Sequence, residues 1–410
     1  MGLINNNTIR FYDVELDRFG NVLNLWHTDH ETPMITFMHD WSEDNNDYFI
    51  FEFRKSPALG LIPLENILTE EQLNKLKQSN SNFYLVAANS HEAFLSCVKD
   101  VYSGLVDRYN IPAHKIILMT GAFEAGKLNE EIIAERSNQE SIKIKISVDF
   151  EKAAQNFLAT ITNSNDGNKR LKFAKTLEQK HYNKSFLNLN RRWRYHRPLF
   201  VAMLKMEGLL DKGLVSFGPS DDNRGWDETH LTLVHMLRED GHRDLARKLD
   251  NMKKELLAMP PLYLDHKELI TNRADMTAQD DWMYAETYFS LVSETHYFKR
   301  DDEHGIFFSE KVFKPISFKH PFILIAPQGS IAALKSIGYK SFAPYINESY
   351  DKELDDIKRI EMIIQETKRL DALEGNELFE WLHECTKICE YNFQVLRKKK
   401  PYDFAHKVNY

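Results

Sequence analysis

Four apolar runs of strand length, at 34–38, 48–53, 83–88 and 116–120, punctuate the first third of the chain. They are rich in Ile, Val, Phe and Tyr, the residues that fit a pleated surface. Between the last two, Phe94, Leu95, Val98, Val101, Tyr102, Leu105 and Val106 recur at helical spacing. This predicts a helix over 92–109, with Ser90 as its N-cap. Apolar and polar residues alternate over 142–148, which predicts a further strand. Strands and helices in alternation through short connections imply a parallel sheet flanked by helices.

The segment 163–169 is polar and rich in turn formers, and reads as a linker. A second alternating series follows it. A strand is expected at 185–189, then a helix over 198–207 with Pro198 in its first turn and Gly208 just past its end, then a strand at 214–217. Residues 221–281 are charged and mostly helical in pattern. Beyond them come a strand at 288–292, a helix near 310–318, a strand at 322–326, a helix near 330–337 and a short strand at 341–342. Two long helices, 351–370 and 376–399, close the chain, the second with apolar residues at Leu378, Trp381, Leu382, Cys385, Ile388, Cys389 and Phe393. The expected fold class is therefore α/β, with two doubly wound domains, 1–165 and 170–372, facing a cleft. The remainder, 373–410, carries a helix expected to pack back toward the first domain. Ligands should bind at the carboxyl ends of strands facing that cleft.

A chain of 410 residues has room for two or three domains, and 42% hydrophobic with 28% charged residues excludes disordered, collagenous and rod-like classes. With 53 Lys+Arg against 61 Asp+Glu the net charge is −8, so the overall field does not attract nucleic acid and only a local basic patch would. Cys97, Cys385 and Cys389 cannot build a disulfide framework or a four-cysteine zinc site, and read as small buried hydrophobes in a reducing compartment. The N-terminal stretch lacks a basic region followed by an apolar core, and Asn6 stands where a myristoylation motif has Ser or Thr. No apolar run approaches the ~18 residues a membrane span needs. A cytoplasmic location without a membrane partner is expected.

Two stretches carry chemistry. In the first, a strand ending at Asn190 is followed by Arg191, Arg192, Trp193, Arg194, Tyr195 and His196, then by Arg197 and Pro198 at a helix start. Guanidinium forks beside a helix N-terminus suit an anion; a solvated basic loop is the simpler alternative. In the second, a strand ends at Glu294, and a later helix opens with Ser309-Glu310-Lys311 and continues to Lys314-Pro315. Capping by itself accounts for Ser309 and Glu310. It does not account for Lys311 and Lys314, cations near the positive end of a helix, which call for an anion. A carboxylate for ribose hydroxyls beside an ammonium for phosphate is what a nucleotide site requires.

The run 288–325 resembles the donor-binding signature of fucosyltransferase-type glycosyltransferases: a strand ending in Glu, a Ser/Thr-Glu-Lys helix start, and a strand preceded by Pro321. Downstream, Gly329, Ser330, Leu334, Gly338, Tyr339, Phe342 and the run from Asn347 to Asp351 resemble phage and giant-virus glycosyltransferases with that signature. The resemblance spans about 183–372. It implies the GT-B fold, two Rossmann-like domains with the nucleotide sugar held mainly by the second. By position it implies that Glu310 holds the donor ribose and Lys311 a phosphate, with Ser309 and Lys314 beside them. Asn190 and an arginine among Arg191, Arg192 and Arg194 would hold the pyrophosphate, and Glu294 would line the sugar or base pocket. The charged stretch 217–281 and the whole N-terminal domain have no counterpart in that pattern.

A general base would come from the N-terminal domain, on a loop after a strand, where Asp40 (beside His39) and Glu124 stand as the candidates. Each has a surface or capping role as its alternative. His27, Asp29, His30, His39 and Asp40 have no spacing that fits a metal site, and the Asp-Asp pairs at 221–222, 280–281 and 301–302 read as turns or caps. No metal or cofactor is expected, the nucleotide sugar being the substrate. The basic tail, Arg397 to Lys400, with Arg191 to Arg197 and the aromatics Trp193, Tyr195 and Tyr402, suggests a nucleic-acid backbone, unless the tail only complements its helix dipole. With the viral resemblance, this points to hydroxymethylated cytosine in duplex DNA as acceptor. A saccharide or glycan acceptor is one alternative, and a nucleotide-binding module without transfer is another.

Overall fold

The computed structural model describes residues 11–16, 22–28, 47–52, 64–66, 68–89, 94–137, 139–148, 150–151, 153–155, 157–158, 184–190, 194–217, 226–259, 262, 264, 281–298 and 304–398. They form two compact units. The described residues up to 151, with 304–307, make the first, and 153–298 with 308–398 make the second. The expected strand at 34–38, the linker at 163–169, Ser90, Asp40, Arg191 and Arg192 lie outside the described residues.

In the first unit, β1 (Phe11–Leu16) and β2 (Val22–Thr28) form an antiparallel hairpin that the apolar runs did not indicate. Parallel strands β3 (Asp47–Glu52), β4 (Phe83–Asn89), β5 (Ile116–Thr120) and β6 (Lys143–Ile146) add to the other side of β1, giving the order β2-β1-β3-β4-β5-β6. Among the described residues the parallel strands of this sheet add in a single direction from β1, whose other edge is paired with β2. The helix expected over 92–109 is α-helical over Ser96–Val101 and widens to a π-helix over Tyr102–Asp107. Its apolar face, Cys97, Val98, Val101 and Leu105, packs with Leu85, Ala87, Ile116 and Leu118 into the core of this unit.

The second unit holds β7 (Lys184–Asn190), β8 (Gly213–Phe217), β9 (Thr287–Ser293) and β10 (Phe322–Ile325), all parallel, in the order β10-β9-β7-β8. After β8 the chain returns across β7, so the direction of strand addition reverses between β7 and β9. This sheet is doubly wound, and its crevice opens at the carboxyl ends of those two strands. The helix after β7 runs His196–Met206, with Pro198 third in it, where a missing N–H costs nothing. It ends in a Schellman turn. Gly208 has φ +68°, its N–H donates to the Lys205 carbonyl at 3.1 Å, and the Leu209 N–H donates to that of Leu204 at 2.8 Å.

The charged stretch is helical over Trp226–Glu239, Arg243–Asn251, Lys253–Ala258 and Asp281–Ala285. Two expectations need correcting. Residues 341–342 are not a strand: the Phe342 N–H donates to the Glu348 carboxylate (2.7 Å) in a loop, and its ring meets Phe322 edge-on. The helix expected from 351 begins at Asp356, because Asp355 caps it by accepting the Ile357 and Lys358 N–H groups after a 3-10 turn at Glu348–Lys352. The final helix, Gly375–Lys398, belongs to the second unit. There Lys319 pairs with Glu390, Asn392 exchanges bonds of 2.8 and 2.9 Å with the Lys340 backbone, and Trp381 donates to the Tyr345 carbonyl.

Candidate functional site

At the carboxyl ends of β7 and β9 the polar residues of both stretches meet. The helix Glu310–Ser317 opens there, with Ser309 as its N-cap. The Ser309 hydroxyl donates to Glu294 Oε2 at 2.5 Å and accepts the Lys311 N–H at 3.3 Å. Lys311 Nζ lies 2.9 Å from Glu310 Oε1, 3.0 Å from Ser309 Oγ and 3.5 Å from Thr295 Oγ1. The Thr295 N–H donates to Glu294 Oε2 at 3.3 Å.

The two carboxylates of this knot differ. Glu294 is completely enclosed, and burial pushes its pKa up against the opposing pull of Lys311 and the Ser309 hydroxyl. Glu310 is also desolvated, yet the Lys311 ammonium, its hydrogen bond and Lys314 hold it below the usual carboxylate value. Glu294, expected to line a pocket, therefore anchors Ser309 from behind. Lys314, one turn along, is half-buried and has no ion-pair partner among the described residues.

From the β7 side, the helix starting at His196 presses against the end of β9. His196 Nε2 lies 3.0 Å from the Glu294 carbonyl, and Arg197 donates to the carbonyls of Ser293 (3.3 Å) and Glu294 (2.9 Å). Burial and the neighbouring Arg197 hold the His196 pKa well below the ordinary imidazole value, so the ring is neutral and donates. Tyr297 stacks on His196 at 5.3 Å, and the Arg359 guanidinium lies 4.5 Å from the centre of the Tyr297 ring. Arg359 is tied to the Tyr297 and Glu353 carbonyls and to Asp356, which fixes the stack. Arg194 is exposed, as is Tyr195.

Asn190 ends β7 and is buried. Asn188 Nδ2 donates to the Leu291 carbonyl at 2.7 Å, so its Oδ1 must accept, and it does so from Asn190 Nδ2 at 2.5 Å. That relay fixes the orientation of both amides. Asn190 Oδ1 is left without a hydrogen-bond partner among the described residues. It is an acceptor, so it suits a ligand O–H or N–H and not the pyrophosphate oxygens expected there.

A nearby helix start offers no anion site. The Asp351 carboxylate already accepts the Ile331 and Ala332 N–H groups that open Ser330–Ser336, at 2.9 and 3.2 Å. In the first unit, Glu124 is not poised as a free base. Its Oε2 accepts the Ile306 N–H at 2.7 Å, and burial pushes its pKa up against that bond. The Phe123 N–H donates to the Ile306 carbonyl (3.1 Å), His304 bridges to Phe94, and Phe307 enters the core beside Phe150. Glu124 thus clamps the segment 304–307 to the loop after β5.

Among the described residues no three His, Cys, Asp or Glu side chains come together as a metal site, and no helix is long and apolar enough to cross a membrane. All three cysteines are free and buried. No protein-family model matches the chain, and no curated protein matches it in sequence. Sequence reasoning passed over Asn188, Tyr297 and Arg359. Asn188, a polar residue in the middle of a strand, was the visible signal for the first; nothing local marked the other two.

Proposed function

We propose that the chain is a glycosyltransferase of GT-B architecture that moves a sugar from a nucleotide-sugar donor to an acceptor hydroxyl. The observation that carries this reading is the convergence, at the β7/β9 reversal, of the Lys311 and Lys314 ammonium groups with the rim carboxylate of Glu310 and a buried amide acceptor. Lys311 and Lys314 would take the diphosphate and bear the charge that develops on it as it leaves. Glu310 would accept a ribose hydroxyl, and Asn190 Oδ1 would accept a donor group of the sugar or base. Glu294, His196 and Arg197 would hold those groups in place without touching the ligand.

In the transfer, the acceptor hydroxyl gives its proton to a base and its oxygen bonds the anomeric carbon. The bond from that carbon to the diphosphate breaks, and its electron pair leaves with the phosphate oxygen. Asp40 keeps the base role in this proposal, since Glu124 is engaged with Ile306. The acceptor proposed is hydroxymethylated cytosine in DNA, from the resemblance to viral enzymes and the exposed cations Arg194, Arg397 and Lys398. A base in a duplex would have to be flipped out first.

The test is incubation with a panel of nucleotide sugars and hydroxymethylcytosine DNA, then digestion and weighing of the nucleosides, with oligosaccharide acceptors in parallel. A mass increase of one sugar is expected on the modified nucleoside. Transfer to saccharides alone refutes the DNA acceptor. Failure of every nucleotide and nucleotide sugar to raise Tm refutes the donor site.

A further inference from the structure

Every hydrogen-bonding position around Lys311 is already taken by the chain itself. Its three ammonium protons face Glu310 Oε1, Ser309 Oγ and Thr295 Oγ1. The Ser309 hydroxyl spends its proton on Glu294 and its lone pairs on Lys311. An incoming anion therefore finds no open donor on Lys311. It must take the place of one of these acceptors.

Thr295 Oγ1, at 3.5 Å, is the weakest of the three acceptors. An anion that displaced it alone would sit beside the like charge of Glu310, so Glu310 is the acceptor whose release favours binding. Ser309 is 2% exposed and is locked to Glu294, whereas the ion pair of Lys311 and Glu310 keeps 26% and 11% of its side-chain surfaces in contact with solvent. Adjacent in sequence, the two side chains meet at the rim of the knot. Lys314, in the last turn of this short helix, adds a second ammonium with no ion-pair partner among the described residues, and the helix start at Glu310 already favours negative charge. Of the two carboxylates of the knot, Glu294 is spent on the Ser309 hydroxyl and the Thr295 N–H, so Glu310 is the one paired with Lys311.

We infer that the Glu310 carboxylate stands in for a ligand phosphate at Lys311, and that the site binds a diphosphate by exchange: the phosphate takes Lys311 and Lys314, and Glu310 is released. This rests on the proposed donor site but assigns Glu310 a role of its own, as a built-in competitor that keeps Lys311 occupied until a polyanion arrives. Released, Glu310 becomes available to a ligand hydroxyl. A single carboxylate ligand, with one charge, gains little by replacing another carboxylate. A phosphate group, with more charge and more acceptor oxygens, wins the exchange.

Inorganic pyrophosphate is the discriminating probe, because it has no hydroxyl for Glu310 to accept. Its affinity for the full chain is measured by calorimetry in the wild type, Glu310→Gln and Lys311→Gln, with Tm checking the fold. Glu310→Gln should bind pyrophosphate roughly tenfold more tightly than wild type, the lower end for a charged hydrogen bond in a partly solvated pair. Lys311→Gln should bind it at least tenfold more weakly. Unchanged or weaker binding in Glu310→Gln overturns the inference, as does absence of binding in both it and the wild type. Uridine and guanosine diphosphates test the underlying reading separately. If neither binds wild type more tightly than pyrophosphate does, the nucleotide site falls while the exchange at Lys311 stands.

Discussion

Ser309→Ala removes one oxygen that makes three contacts, and its cost follows from them. Loss of an N-cap hydroxyl costs about 1 kcal/mol. Loss of the 2.5 Å bond to an enclosed carboxylate costs about 1.5–3 kcal/mol when that carboxylate is charged. Together they predict a destabilisation of the second unit of about 2–4 kcal/mol with Glu294 ionised, and about 1–2 kcal/mol with it neutral. The pH direction comes from Glu294, whose pKa is raised chiefly by burial. The folded chain then holds the Glu294 proton more tightly than the unfolded chain does. Its contribution is complete below the ordinary glutamate range and is lost as pH rises through the raised value. Removing the hydroxyl that stabilises the charged form widens this window. Hydrogen exchange at the β9 amides reads the second unit alone. The expected result is a Ser309→Ala loss that is larger at about pH 8 than at about pH 5, and that shrinks to the capping cost, about 1 kcal/mol, in a Glu294→Gln background. Equal losses at both pH values, undiminished by Glu294→Gln, would refute the picture of one coupled knot.

His320 is buried with Nε2 2.8 Å from the Thr287 carbonyl and Nδ1 2.9 Å from Ser290 Oγ, and burial lowers its pKa to about 4. The second unit should therefore lose stability as pH falls from about 6.5 toward 4, by up to ~1.4 kcal/mol per pH unit, and His320→Gln should flatten that slope in acid-titrated urea unfolding. A Cβ on Gly305 would lie 2.4 Å from Glu124 Oε2, so Gly305→Ala should loosen the segment 304–307 and cost the first unit about 1–3 kcal/mol, read by proteolytic cleavage near Ile306. Glu124→Gln keeps an acceptor for the Ile306 N–H and should retain most transfer activity; a loss of roughly a hundredfold or more would return Glu124 to the role of base. Lys311→Ala should weaken nucleotide-sugar binding roughly ten- to hundredfold, and transfer should persist with chelator present, because the ammonium groups neutralise the leaving diphosphate.

Strand and helix existence was written in short-range pattern. The run at 116–120 became β5 with those bounds, and the helix start at Ser309-Glu310 was legible because capping is local, the Ser309 hydroxyl accepting the N–H of Lys311 two residues on. The final helix was equally plain, since an apolar stripe at helical spacing needs no distant partner to be seen. Strand order was not legible. The same alternation of strands and helices builds one sheet in which the parallel strands add in a single direction and another that reverses between β7 and β9. Which edge a strand joins depends on which edge is already covered, and in the first unit β2 covers it.

The site divides in the same way. Its residue types, Asn190, Glu294, Ser309, Glu310, Lys311 and Lys314, could be picked out from their positions after strands and at helix starts. Their roles could not. Glu294 and Ser309 are 15 residues apart and bond only because both lie at the carboxyl end of β9, where enclosure turned a supposed pocket carboxylate into an anchor. Glu124 turned from a candidate base into a clamp because a segment 182 residues later supplies the N–H it accepts. Sequence determines which groups a chain can offer. Burial, which sets their charge, and long-range contact, which decides which of them are already spent, belong to the tertiary structure.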